Sequence, residues 1–183
     1  MLSAHARPDA FTSAECGRIV ALAQGHGLRA AGLVGQVANH NIRRAEIAWI
    51  DEVPEAAWVM DRLIGLVAEA NRSAFGFDLS EFAESPQVAR YGAEAEGHFG
   101  WHSDIGDGPV ARKRKLTLVV QLSEPGDYEG GALEIMPDAN TISADRAQGA
   151  AIVFPAFNLH RVTPVTRGSR HSLTVWAHGP AFR

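Results

Sequence analysis

The chain contains little that could cross-link it or hold it in a membrane. Cys16 is the only cysteine among 183 residues, which excludes an internal disulfide and a metal site built from thiolates. No stretch approaches the ~18 consecutive apolar residues of a membrane-spanning helix, and the first residues lack the apolar core of a signal peptide. We therefore expect a soluble, cytoplasmic protein with no membrane partner, although a bacterial periplasmic protein could have the same composition.

Positive charge is also scarce. The 17 Lys and Arg residues are outnumbered by 21 Asp and Glu residues, which gives a net charge of −4 at pH 7. This balance offers no electrostatic basis for binding nucleic acid. Hydrophobic residues make up 46% of the chain, enough for a substantial core, and the length suits one domain. We predict that residues 1–183 form a single domain; the sequence does not indicate its oligomeric state.

The first 80 residues contain two helical patterns. Thr12 and Glu15 form a capping box before an apolar stripe that starts at Cys16, which predicts a helix ending near residues 25–27. Pro54 suits the first turn of a second helix, for which Gly76 is a plausible stop. Between the helices, residues 33–38 and 45–50 read as strands joined by a turn at residues 39–41.

From residue 87 onwards the pattern changes to short, β-branched segments separated by Gly or Pro. Strands are predicted at residues 87–91, 116–122, 132–135, 150–154, 161–165 and 172–177. Many short strands indicate a sandwich or barrel, and the preceding helices are expected to pack against one of its sheets. The sequence thus predicts a mainly β fold with α-helices, in which residues 1–80 give helical support with accessory strands and residues 81–183 form the β core.

One short segment carries the chemistry. His102 and Asp104 stand two residues apart, so on an extended backbone both side chains point to the same face. His160 follows 56 residues after Asp104 and is a third candidate ligand. Two His and one carboxylate on one face of a metal is the arrangement of non-haem Fe(II) oxygenases. Such pairs also arise by chance, and the alternative is a strand-end His beside a turn Asp, with His160 unrelated.

Arg170 is the second candidate functional residue. It shares one strand face with Ser172, Thr174 and Trp176, so its guanidinium is expected to point into the barrel. A buried guanidinium needs an anionic partner. That partner is either an internal carboxylate, such as Glu134, or an anionic ligand.

Taken in order, the motifs of residues 87–183 resemble those of a known family. They are Tyr91-Gly92, His102-Ser103-Asp104, Gly130-Gly131-Ala132-Leu133, His160-Arg161-Val162-Thr163-Pro164-Val165, Gly168-Ser169-Arg170 and the closing segment from Trp176. Their order and spacing are similar to those of the Fe(II)- and 2-oxoglutarate-dependent dioxygenases of the prolyl 4-hydroxylase type, in particular their bacterial branch. The resemblance implies a double-stranded β-helix, a jelly-roll or cupin-like pair of sheets, with iron in its mouth. The Gly130-Gly131 segment is expected to form a hairpin turn.

The resemblance also implies roles for six residues. His102, Asp104 and His160 would bind Fe(II), Arg170 would hold the distal carboxylate of 2-oxoglutarate, and Tyr91 and Ser172 would add hydroxyl groups to the co-substrate site. The implied activity uses O2, hydroxylates an unactivated C–H bond and releases succinate and CO2.

The sequence leaves the substrate and two rival functions open. Many animal and plant prolyl hydroxylases have Lys in place of Arg170, so an amino-acid-like substrate, free or in a peptide or protein, is expected rather than proline in particular. Its specificity would come from loops at residues 36–44 and 106–114. The rivals are a zinc-dependent hydrolase with the same ligands, for which Arg170 has no use, and a non-catalytic jelly-roll binding module. His98, Trp101 and His171 are expected at the surface or rim, and Trp176 in the core.

Overall fold

The computed structural model describes residues 3–30, 42–50 and 54–182. In these ranges the chain forms two α-helices and thirteen strands. They are β1 (His5–Arg7), α1 (Ser13–His26), β2 (Arg29–Ala30), β3 (Arg43–Arg44), β4 (Glu46–Trp49), α2 (Ala57–Ala70), β5 (Gln87–Gly92), β6 (His98–His102), β7 (Arg114–Gln121), β8 (Tyr128–Gly130), β9 (Leu133–Met136), β10 (Ile142–Ser143), β11 (Ala151–Pro155), β12 (Leu159–Val162) and β13 (Val165–His178). The predicted strand at residues 33–38 and turn at residues 39–41 lie outside the described residues.

Local sequence signals set the ends of both helices. The Thr12 hydroxyl accepts a hydrogen bond from the Glu15 amide, and the Glu15 carboxylate accepts one from the Thr12 amide, so the predicted capping box is confirmed. The second helical segment begins with a 3-10 turn at Pro54, and a π turn extends it beyond Ala70. It stops at Gly76, whose left-handed conformation (φ 66°) ends the helix as predicted. No helix among the described residues is long and apolar enough to cross a membrane.

The strands form two sheets. The larger sheet has the order β1-β11-β7-β13-β5-β4-β2, with β8 paired to one end of β13, and the smaller has the order β10-β9-β12-β6-β3. Buried apolar side chains of both sheets, such as Val119 and Phe154 of the larger and Ile135 and Val162 of the smaller, pack into one cluster. The fold is therefore the predicted double-stranded β-helix.

The helices cover the other face of the larger sheet. Ile19 of α1 and Leu63 of α2 are fully buried against Leu118 and Leu173 on the central strands β7 and β13. This arrangement confirms the expected packing of helices on one sheet. It leaves the opposite face of β5, β7 and β13 directed into the space between the sheets, where the candidate site residues lie.

The Gly130-Gly131 segment differs from its prediction as a hairpin turn. Its flanking strands do not pair with each other, because β8 pairs with β13 and β9 pairs with β12. The segment instead carries the chain from one sheet to the other. Both glycines have positive φ, and a Cβ on Gly131 would lie 2.9 Å from Cγ2 of Val165 and 3.1 Å from Cδ of Arg170. Gly131 is thus required for close packing against the Arg170 side chain, and Gly130 for close approach to the Pro164 carbonyl oxygen, with which a Cβ would clash.

Candidate active site

Pairing between strands of the smaller sheet brings the three candidate ligands together. His160 on β12 lies directly opposite His102 at the end of β6, and Asp104 follows two residues later. Nε2 of His102 lies 3.7 Å from Oδ1 of Asp104, and Nε2 of His160 lies 3.5 Å from Oδ2. One ligand atom from each residue falls within 4.8 Å of the others, a spacing that one metal ion can bridge.

The histidine rings are oriented by hydrogen bonds to the backbone. Nδ1 of His102 lies 2.7 Å from the carbonyl oxygen of Gly100, and Nδ1 of His160 lies 3.0 Å from that of Asn158. A carbonyl can only accept, so each Nδ1 carries the proton and each Nε2 is left as a lone-pair donor towards Asp104. This is the usual way in which proteins hold metal-binding histidines.

Asp104 is held by the backbone and by one hydroxyl. Its amide donates to the Ala156 carbonyl at 2.9 Å, its own carbonyl accepts from Nη1 of Arg114 at 3.0 Å, and its Oδ2 accepts from the Thr117 hydroxyl at 2.6 Å. Thr117 lies on β7 of the larger sheet. Asp104 thus follows β6 of the smaller sheet in the chain, and a side chain of the larger sheet holds its carboxylate.

The electrostatics of the cluster suit a divalent metal ion. Burial lowers the pKa of His102 to about 4, with a further contribution from the nearby His160, so the ring is neutral near pH 7. Burial alone would raise the pKa of Asp104, but the two histidines and the Thr117 hydroxyl outweigh it and hold that pKa below its ordinary value. Two imidazoles and one carboxylate on one side of an ion form the donor set of Fe(II) oxygenases, so the residues present fit such an ion.

Arg170 is buried on β13 with most of its hydrogen-bonding capacity unused. It is 1% exposed. Nε donates to Oε1 of Gln121 at 3.0 Å. Neither Nη1 nor Nη2 makes a well-formed hydrogen bond among the described residues, and the nearby hydroxyl group of Tyr128 is a neutral neighbour that helps to keep the guanidinium charged. Glu134, one internal candidate for a partner, instead pairs with Arg161 at 2.6 Å. An unpaired buried guanidinium is costly, and this one fits a carboxylate ligand.

A narrow cavity of ≈ 50 Å³ connects Arg170 with the three candidate ligands. Tyr91 lies opposite Arg170 in the pairing of β5 with β13, and the Arg170 guanidinium is 5.5 Å from the centre of its ring. Tyr91 and Ser172 are both buried, and both line this inner cavity with Arg170, His102, Asp104 and His160. All six residues singled out in the sequence therefore border one cavity.

A second, wider cleft opens from the metal-ligand cluster towards solvent. Its volume is ≈ 770 Å³, and its walls include apolar side chains from β4, β6 and the segment after Asp104. His102, Asp104 and Trp176 line both the inner cavity and this outer cleft. Trp176, expected in the core, is thus a wall residue of both, with the Arg114 guanidinium 4.1 Å from its ring centre.

Several residues that shape the site were not predicted from the sequence. Thr117 and Gln121 face inward from β7, and the only signal for them was a polar side chain recurring in an apolar strand. Arg114 forms an ion pair with Glu84, whose carboxylate also accepts from the fully buried His178 at 2.9 Å. No local pattern links these three residues, because they are 30 to 94 positions apart.

Trp101, expected to pack against the barrel rim, is an exposed side chain that lies 4.8 Å from the Arg161 guanidinium. The expectation that His171 faces outward is wrong. His171 is half-buried, and its amide donates to the Ser123 hydroxyl at 2.8 Å. Its side chain does alternate away from Arg170, but the segment around Ser123 covers that face of β13.

Comparison with known proteins places these features in a family. The family model of the 2OG-Fe(II) oxygenase superfamily matches residues 86–178. A PKHD-type hydroxylase of Delftia acidovorans is 38% identical over 98 residues, which are 51% of this chain and 42% of that protein. A PKHD-type hydroxylase of Bordetella pertussis is 30% identical over 92% of this chain and 75% of its own length. The chain therefore spans less than half of the first relative and three quarters of the second.

The fold agrees with this relationship. A Trichoplax adhaerens prolyl hydroxylase, solved in complex with a peptide fragment of the hypoxia-inducible factor oxygen degradation domain, superposes with a TM-score of 0.79 at 20% identity, covering 96% of this chain and 83% of that one. The match of the family model covers the candidate ligands, all of β13 and the described lining of the inner cavity except Arg43. On this evidence the chain belongs to the 2OG-Fe(II) oxygenase superfamily, and its fold is similar to that of a prolyl hydroxylase.

Proposed function

We propose that this protein is an Fe(II)- and 2-oxoglutarate-dependent dioxygenase that hydroxylates an unactivated C–H bond of an amino-acid-like substrate. One observation carries the proposal: Arg170 is buried without a carboxylate partner among the described residues, in a cavity that leads to the three candidate metal ligands. This arrangement suits a dicarboxylate with one end at the metal and the other at the guanidinium. A zinc hydrolase would have no use for such a cation.

Each residue has a distinct role in this proposal. His102, Asp104 and His160 would hold Fe(II), with Nδ1 of both histidines tied to the backbone so that Nε2 faces the ion. When bound, the ion together with 2-oxoglutarate and O2 supplies the oxidising power that hydroxylates a C–H bond and releases succinate and CO2. Three ligands on one face leave the opposite positions open for the co-substrates.

The co-substrate pocket would be formed by the larger sheet. The Arg170 guanidinium would bind the distal carboxylate through Nη1 and Nη2, while Gln121 fixes Nε at 3.0 Å. Tyr91 and Ser172, which line the same cavity, would supply hydroxyl donors. Because the cavity is narrow and buried, it would exclude water from the co-substrate.

The substrate would reach the site through the outer cleft. This cleft has the size of a small-molecule or peptide-side-chain site and borders His102 and Asp104. The Trichoplax relative in fold was solved with a peptide fragment, which supports an amino-acid-like substrate, free or within a peptide. The predicted loop at residues 106–114 borders this cleft, and most of the loop at residues 36–44 lies outside the described residues.

The test is an anaerobic titration of 2-oxoglutarate into the Fe(II)-loaded protein, followed by measurement of succinate after O2 is admitted. We expect saturable binding of 2-oxoglutarate that requires Fe(II), and succinate formation that a suitable amino acid or peptide accelerates. Absence of 2-oxoglutarate binding to the Fe(II)-loaded protein would overturn the proposal and favour the hydrolase.

A further inference from the structure

Like Arg170, Arg43 faces the candidate site, and its position suits contact with a substrate in the outer cleft. It lies on β3 at the edge of the smaller sheet and lines both the inner cavity and the outer cleft. Its guanidinium carbon is 4.7 Å from the ring centre of Phe99, and the His102 ring stacks on that same ring at 3.5 Å. Arg43 is therefore separated from His102 by no more than the sum of these two distances.

The hydrogen bonds of Arg43 leave its charge uncompensated. Nη2 donates to Oε1 of Gln87 at 2.7 Å, which is a neutral acceptor. Nε is buried and has no partner within the described part of the chain, and no carboxylate there forms an ion pair with Arg43. A buried donor without an acceptor is unfavourable, so the site is one that an anionic group would complete.

The other charges of the outer cleft are already balanced. Arg114 forms an ion pair with Glu84 and also donates to the Asp104 carbonyl, while Asp104 belongs to the candidate metal site. Between these groups the walls are largely apolar, with Ile47, Trp49 and others. Among the described residues that line the cleft, Arg43 is thus the cation without a carboxylate.

We propose that Arg43 binds a carboxylate of the substrate, so that the protein prefers substrates with a carboxylate close to the carbon that is hydroxylated. This rests on the proposed dioxygenase function and specifies its substrate class. One extended residue spans about 3.3–3.6 Å, so a carboxylate on Arg43 and a reacting carbon beside His102 belong to the same residue or to adjacent ones. A free amino acid, the last residue of a peptide and an acidic side chain all offer this chemistry.

The test compares acids with their neutral carboxamides. The probes are N-acetyl amino acids, the matching N-acetyl amino acid amides, free amino acids, and amidated peptides with an internal Asp or Glu. Binding is measured by calorimetric titration into the Mn(II)- and 2-oxoglutarate-loaded protein, and turnover as probe-stimulated succinate formation by the Fe(II) enzyme. We expect at least one acid to bind about 10- to 100-fold more tightly than its amide, and the probe class with the strongest preference identifies the source of the carboxylate.

Variants assign this preference to Arg43. Arg43→Gln should bring acid and amide to nearly equal affinity, mainly through KM, and Arg43→Lys should retain part of the preference because the charge survives. Arg44→Gln is the matched control, since Arg44 is the next residue on β3 and pairs with Glu96 at 3.2 Å; it should keep the wild-type preference. Affinity for 2-oxoglutarate should be unchanged in Arg44→Gln. Because Arg43 also lines the inner cavity, acid and amide are compared at saturating 2-oxoglutarate in every variant.

The outcomes separate this inference from the proposed function. If wild-type protein binds 2-oxoglutarate but no acid binds better than its amide, or if Arg43→Gln keeps the preference, the carboxylate assignment is wrong while the dioxygenase proposal stands. If 2-oxoglutarate itself does not bind, both are wrong.

Discussion

His160 lies directly opposite His102 in the antiparallel pair formed by β12 and β6. In such a pair the two Cβ atoms are about 4.5–5.5 Å apart, so two imidazoles on one face converge without any special loop. The Asp104 carboxylate then lies within 3.7 Å of both Nε2 atoms. Strand register therefore brings His102 and His160 together, although they are 58 positions apart in the sequence.

His160→Ala should abolish metal-dependent turnover, because it removes one ligand of the proposed three. Binding of Fe(II) is measured by titration under anaerobic conditions, and succinate release gives the activity. Circular dichroism should be unchanged, because His160 is one side chain on a strand that otherwise keeps its pairing. Tight Fe(II) binding by the variant would show that His160 is not a ligand.

Thr117→Val should weaken metal binding without removing a ligand. The Thr117 hydroxyl donates to Oδ2 of Asp104 at 2.6 Å, and the loss of such a supporting contact usually costs about 10- to 100-fold in metal affinity. Thr166→Val, at an exposed position of β13, is the control and should bind metal as wild type does. Equal metal affinity in Thr117→Val and wild type would contradict a supporting role.

Local sequence rules were sufficient for some parts of the fold and site. The capping box at Thr12 and the stop at Gly76 involve only neighbouring residues. Asp104 lies two residues beyond the end of β6, where hydrogen bonds to Ala156 and Thr117 place it, so the two-residue period of a strand brought it to attention but does not by itself explain its position. Arg170 was placed in the interior by the same period. In the structure Arg170 is 1% exposed, as the alternation of side chains along its strand predicts.

Features that depend on long-range pairing could not be predicted in this way. The Gly130-Gly131 segment has the composition of a hairpin turn, but its flanking strands belong to different pairs, which no local rule reveals. The partner of Arg170 proved to be Gln121, 49 residues away, rather than a carboxylate. The division of the chain near residue 80 and the roles of individual site residues stay predictions.

Gly131→Ala should impair both stability and co-substrate binding. Gly131 has φ 61°, and a Cβ there would lie 3.1 Å from Cδ of Arg170. A left-handed conformation costs an L-residue about 1–2 kcal/mol, and the new methyl group would push the Arg170 stem towards the inner cavity. Urea unfolding and 2-oxoglutarate titration measure the two effects. Gly126→Ala is the control, since a Cβ there would have no neighbour within 4 Å.

The stability of the metal-free protein should fall as the pH is lowered from about 6.5 towards 4. Burial, with the nearby Arg90 charge, lowers the pKa of His171 to about 4, whereas an unfolded His has a pKa near 6.5. Between these values the unfolded chain binds a proton that the folded chain does not, so the free energy of unfolding decreases with decreasing pH. His102 acts in the same direction.

His171→Gln should reduce this pH dependence, because it removes one of the two histidines whose pKa is lowered in the folded protein. The measurement is urea unfolding at a series of pH values between 4 and 7.5. Above pH 6.5 the contribution of His171 is fully present, so the slope of stability against pH there should match that of the wild type. If the unfolding free energy of His171→Gln fell with pH below 6.5 as steeply as that of the wild type, His171 would not be a source of the pH dependence.

Arg170→Ala should lower 2-oxoglutarate affinity and leave Fe(II) affinity nearly unchanged. It removes a charge-assisted, two-pronged contact to a buried carboxylate, worth roughly 1.5–3 kcal/mol, so the affinity should fall about 10- to 100-fold. Arg170→Lys should lose less 2-oxoglutarate affinity, because the positive charge remains although the bidentate guanidinium is lost.

Arg167→Ala is the control, since Arg167 is exposed and pairs with Glu129 at 2.8 Å. Titration of 2-oxoglutarate into each Fe(II)-loaded variant without O2 separates the effects. If Arg170→Ala bound 2-oxoglutarate as tightly as the wild type, the main support for the co-substrate pocket would be removed. A zinc hydrolase, which has no use for Arg170, should keep its activity in all of these variants.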